Sequence, residues 1–68
     1  MDFKLKTEFV ELDNMLKALN LVAGGAEARQ CIRLGSLKVN GQAETRVRRK
    51  LRAGDSVEFG PRQISIVG

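Results

Sequence analysis

Sixty-eight residues leave room for one domain around one small core, because a chain of this size buries only about 60% of the surface its unfolded form exposes. The sequence holds no His and a single Cys. That excludes Ser-His-Asp and Cys-His catalysis, a structural zinc site and an internal disulfide, so no cofactor is implied. The net charge is +4, but eight of the twelve basic residues lie between Arg29 and Arg52 with Glu44 as the only acid among them, and the rest of the chain is net acidic. Such segregation is the footprint of a polyanion binder, with a solvated basic loop as the bland alternative.

No apolar run approaches the roughly 20 residues of a membrane span. The opening residues Met1 to Lys6 alternate in polarity and contain no apolar core of a secretory signal. A lone Cys in so small a chain suits a reducing compartment, so the expectation is a cytoplasmic protein with no membrane partner.

Residues 3 to 6 alternate and predict a short strand. Leu12, Met15, Leu16 and Leu19 recur at i, i+3, i+4 and i+7, a helical stripe that Asn20 ends. Glu8, Glu11 and Asp13 near its start suit the helix dipole. After the breaker Ala23-Gly24-Gly25, a second helix is expected from about Ala26 to Leu34, with Ala28, Cys31 and Ile32 inward and Gly35 after its end. The connection is short, so the two helices should pack together.

The period then changes to two. Asn40-Gly41 between Leu37-Lys38-Val39 and Gln42-Ala43 is a type I′ hairpin signal. Residues 44 to 52 are basic and read as extended, with Arg46, Arg48, Lys50 and Arg52 on one face and Val47, Arg49 and Leu51 on the other. Ala53-Gly54-Asp55 turns the chain, Val57 and Phe59 mark a strand, Gly60-Pro61 turns again, and Ile64 with Ile66 or Val67 marks the last strand. The fold class is α+β: two packed helices on a small, mostly antiparallel sheet.

Several of these residues form a pattern together. Leu12-Asp13 opens a helix and Ala28-Arg29 lies near the start of a second. A Gly, a short strand, Val39-Asn40-Gly41 and a closing Gly54-Asp55 follow. The stretch from Glu11 to Phe59 resembles the small RNA-binding domain named after bacterial ribosomal small-subunit protein S4, whose core is the alpha-L motif. Gly24-Gly25 before the second helix is similar to the stand-alone bacterial members of that family. The resemblance implies one domain over residues 1–68 with its motif core at 11–59. It also implies a non-catalytic, bacterial, RNA-binding module. In many members Arg precedes the Leu-Asp pair and Ser-Arg stands at the Gly-Gly position; here those places hold Glu11 and Gly24-Gly25.

Within that frame the candidate RNA-binding residues are Gly24, Gly25, Arg29, Arg33, Lys38, Arg46, Arg48, Arg49, Lys50 and Arg52. Arg29 and Arg33 are one helical turn apart, and forked guanidiniums match phosphate oxygens. Free backbone N–H groups at Gly24-Gly25 could face an anion; the competing reading is a tight turn needing positive φ. The run from Arg46 to Arg52 concentrates repulsion that a phosphate backbone would relieve. Lys38 faces outward by alternation. Cys31 reads as core. Phe3, Phe9 and Phe59 also read as core, which leaves no aromatic platform for stacking bases and favours recognition of backbone and shape. The expected partner is structured RNA, with ribosomal and transfer RNA as candidate classes, bound by a monomer that takes no small-molecule substrate. The alternative is an adaptor whose basic face docks on an acidic protein.

Overall fold

The computed structural model describes residues 1–68. Strand β1 (Asp2–Lys4) leads to a two-residue β2 (Val10–Glu11), which runs directly into helix α1 (Leu12–Ala18). Helix α2 (Gly25–Arg33) follows, then β3 (Leu37–Val39), β4 (Gln42–Glu44), β5 (Lys50–Leu51), β6 (Ser56–Phe59) and β7 (Arg62–Val67). Five strands form one sheet in the order β1-β7-β6-β3-β4, and β2 pairs with β5 in a separate ribbon. Every pairing is antiparallel except β1 on β7, which joins the two ends of the chain.

Both helices end as their sequences dictate. Gly35 takes φ 76°. Its N–H donates to the Ile32 carbonyl, and the Ser36 N–H donates to the Cys31 carbonyl, the paired bonds of a Schellman cap. Asn20 does the same after α1 at φ 56°, with Asn20 N–H on Lys17 and Leu21 N–H on Leu16. This αL residue makes the inter-helix turn. Gly24 is extended (φ −174°), and Gly25 is the first helical residue. The positive-φ role considered for the Gly-Gly pair therefore belongs to Asn20.

One core of twelve buried residues joins the layers. Leu12, Met15 and Leu16 of α1 and Ala28 and Ile32 of α2 meet Leu37, Val39, Leu51, Val57, Ile64 and Ile66 from the strands. Cys31 is half-buried against this cluster, as are Phe3 and Phe59. Phe9 is half-buried but is not part of the packed cluster, which corrects its reading as a core residue. Asn40 and Gly41 both take positive φ, giving the expected hairpin with Val39 opposite Gln42.

That hairpin is tied to the turn at Gly54-Asp55. The Asn40 amide donates to Asp55 Oδ1 at 3.0 Å, and Asn40 Oδ1 accepts the Ser56 N–H at 2.9 Å. The other Asp55 oxygen accepts the Arg52 N–H at 2.8 Å. Val-Asn-Gly and Gly-Asp, far apart in sequence, are thus two halves of one lock, and the lock holds the end of the basic segment.

Candidate nucleic-acid interface

The basic segment leaves β4 at Glu44 and re-enters the ribbon at Lys50. Between them it is not the continuous strand that the alternating pattern suggests. The Arg49 N–H donates to the Arg46 carbonyl at 3.3 Å, closing a turn over Val47 and Arg48. Two interactions bend it. The first is Glu44, 7% exposed, whose carboxylate accepts four hydrogen bonds. Arg46 supplies three of them, from its backbone N–H, Nε and Nη2, each at 3.0 Å. Arg49 Nη1 supplies the fourth at 2.8 Å. An extended segment would send Arg46 and Arg49 to opposite faces; the turn brings both to one carboxylate. The second is the first turn of α1, whose free amides need acceptors. Leu12 N–H takes the Arg49 carbonyl at 2.9 Å and Asp13 N–H takes the Val47 carbonyl at 3.2 Å. Val47 packs half-buried on the core and Leu51 is fully buried.

Burying a carboxylate is costly unless it is paired and hydrogen-bonded. Glu44 is both. Hydrogen bonds from Arg46, aided by Arg49, outweigh the upward push of burial and hold its pKa down to about 2. Asp55 behaves alike at the other end. Burial raises its carboxyl, but the Arg52 N–H and the Asn40 amide more than offset this, so its pKa lies below the ordinary value. A carboxylate therefore pins each end of the basic segment.

Arg46, Arg48, Arg49 and Lys50 together line an open concavity of about 450 Å³ with no hydrophobic residue in its wall. The Arg46 side chain remains 71% exposed and that of Arg49 29% exposed while paired to Glu44. Guanidiniums carry five donors each, so both retain donors for a second anion. Arg48 makes no ion pair. Lys50 and Arg52 take a different contact. Lys50 Nζ lies 4.9 Å, and the Arg52 guanidinium carbon 5.6 Å, from the centre of the Phe9 ring, within cation–π range. Glu11 sits opposite Lys50 in the ribbon, and its Oε1 accepts from the Asn14 amide at 3.3 Å.

The second cluster lies along α2, with Arg29 one turn in from its start and Arg33 as its last residue. Arg29 and Arg33 are exposed and make no ion pair. A Cβ placed on Gly25 would meet Arg29 Nη1 at 3.4 Å and Lys17 Nζ at 3.8 Å. Packing of α1 on α2 thus delivers Lys17 to the Gly25 backbone beside Arg29. Lys17 was not among the candidates because it lies outside the Arg29–Arg52 segment, in the net-acidic remainder of the chain; its place in the last turn of α1, opposite the apolar stripe, was the available signal. The helix end itself is already partly neutralised, since Glu27 folds back to accept the Ala23 N–H. Lys38 is separate from both clusters. It lies on the outer face of the sheet, directly across from Glu58 and Ala43.

This arrangement, a cationic segment hung between a helix start and a hairpin, defines a class. The family model for the S4 domain matches residues 3–67, and the chain belongs to that family. It is 39% identical over 62 residues to the YbcJ protein of Escherichia coli, covering 91% of this chain and 89% of that one. The YbcJ protein of Shigella flexneri matches to the same extent. The solution structure of Escherichia coli YbcJ, described as revealing an alpha-L motif involved in RNA binding, superposes with a TM-score of 0.75 at 38% identity. The match covers 98% of this chain and 86% of that structure. No helix is long and apolar enough to cross a membrane.

Proposed function

We propose that this protein is a non-catalytic RNA-binding module that grips the phosphates of structured RNA with its basic segment. The observation that carries this reading is the concavity walled entirely by Arg46, Arg48, Arg49 and Lys50. Its local field is strongly positive, and two of its four cations are already oriented by Glu44. Preorganised guanidiniums lose less freedom on meeting a phosphate than free ones do. The similarity to YbcJ, whose alpha-L motif is described as involved in RNA binding, supports RNA as the polyanion. Arg52 extends the face towards Phe9, and Lys17, Arg29 and Arg33 with the Gly24-Gly25 backbone form a second, looser point of contact. Lys38 contributes least, because Glu58 shares its face. The protein acts as a monomer, and shape rather than base sequence supplies most of its selectivity.

The test is a salt titration of binding to a folded RNA hairpin, with RNA and acidic-protein competitors. Each phosphate contact should contribute roughly 0.7 to 0.9 to the slope of log K against log salt. A slope near zero, or displacement by an acidic protein but not by RNA, would contradict the proposal. Crosslinking in cells followed by sequencing of the bound RNA would then name the partner.

A further inference from the structure

One apolar feature is left over from the core. Phe3, Leu5, Phe9, Val10 and Leu19 surround a groove of about 370 Å³ between β1, the segment after it and the end of α1. All five are only half-buried, so water reaches the groove. Its size is within the range of about 300–1,000 Å³ of pockets that hold small molecules. Lys4 and Lys6 also line it, and Asp2 is its only acid. Phe9 belongs to two structures at once: it lines this groove, and it carries Lys50 and Arg52 over its ring.

From this juxtaposition we infer that the groove receives one unpaired nucleobase of the bound RNA, stacked on Phe9, while Lys50 and Arg52 hold the adjoining phosphates. The inference rests on the RNA-binding reading and adds a ligand class to it: RNA with a bulged or unpaired nucleotide rather than a continuous duplex. Three features of the molecule favour that occupant. The groove is continuous with the basic face through Phe9. Its rim is cationic, which suits a polyanion bearing a flat apolar group. Aromatic faces stack any base, so the contact requires no hydrogen-bonding code, and the lining offers little of one. A base also needs no carboxylate partner, which agrees with Asp2 being the only acid at the site.

The experiment compares two RNA hairpins with equal numbers of phosphates, one fully paired and one with a two-nucleotide bulge. The wild-type protein should bind the bulged hairpin on the order of tenfold tighter, the discrimination expected of one stacked base. Phe9→Leu keeps an apolar side chain but removes the π face; whatever its affinity for the paired hairpin, its ratio of bulged to paired affinity should fall to about one. Phe9→Trp should retain it. Equal binding of both hairpins by the wild type, or a preference that survives in Phe9→Leu, overturns the inference and leaves the RNA-binding reading intact. Failure of both hairpins to bind overturns that reading and this one with it. A readout on the wild type alone guards against misfolding of the variants. The Phe9 ring protons should move upfield in NMR spectra on adding the bulged hairpin and stay in place with the paired one; unmoved ring protons with a bound bulged hairpin overturn the inference.

Discussion

The two clusters of cations are built on opposite principles. In the basic segment, Arg46 and Arg49 are tied to a buried carboxylate, and the Arg52 backbone is tied to Asp55. Along α2, Arg29 and Arg33 extend freely from the helix, and Lys17 of α1 comes up beside Arg29 at Gly25. The first arrangement gives up some net positive charge in exchange for geometry; the second keeps its full charge and its mobility. Fixed forks define where a phosphate sits, while free side chains supply attraction at a distance.

The largest expected effect comes from removing the unpaired charges of the basic segment. Arg48→Gln, Lys50→Gln and Arg52→Gln together should weaken binding for every structured RNA tested and flatten the salt slope by about 2 to 3 units. Thermal unfolding should change little, within about 0.5 kcal/mol per site, because all three side chains are exposed. Arg46 is kept out of this set. From sequence alone it looked equivalent to its neighbours, yet its loss would strip Glu44 of three of its four hydrogen bonds only if the backbone moved, and of two in any case. Substituting it would mix a stability effect with a binding effect.

A smaller effect should follow at α2. Lys17→Gln with Arg29→Gln should reduce affinity and flatten the slope by about 1 to 2 units, again without sequence dependence. A loss as large as that from the basic segment would reverse the ranking of the two clusters.

The smallest effect is on stability, at low pH. The Glu44 pKa is lowered, so its contribution is fully present above the unfolded carboxyl value of about 4.3 and is lost as pH falls through the folded value of about 2. Asp55 is shifted in the same direction. Between pH 7 and 5 the Glu44 contribution to the melting temperature should therefore be complete and unchanging, and below that the melting temperature should fall. In Glu44→Gln the acid-side fall should be shallower. An identical acid profile in both proteins would show that Glu44 gains no net stabilisation from its arginines.

How far the sequence foretold these regions follows from how local the determinants were. The helices, their ends and the Asn40-Gly41 hairpin rest on contacts between near neighbours, and each was legible. The short first strand was too, although its parallel partner β7 lies at the other end of the chain. The path from Thr45 to Arg49 was not. Its alternation of charge suggested a strand, but a buried Glu44 and the open amides of Leu12 and Asp13 bend it into a turn. No local pattern marks Glu44 as buried; it becomes so because it faces the core side of β4, opposite Leu37. Phe9 was misplaced for a similar reason. Its neighbours are Lys50 and Arg52, about forty residues away in the chain and brought near by the pairing of β2 with β5.

The most direct test of preorganisation is the RNA affinity of Glu44→Gln at fixed ionic strength. The substitution raises the formal net charge from +4 to +5. If charge alone set affinity, the variant would bind more tightly. If the carboxylate holds Arg46 and Arg49 in place, the variant should bind more weakly despite its extra charge, by roughly three- to tenfold for the loss of about 1 kcal/mol of orienting interaction. A hairpin titration near neutral pH, with circular dichroism confirming the fold, gives the answer. Weaker binding is the expected result; equal or tighter binding by a folded variant would contradict the role assigned to Glu44.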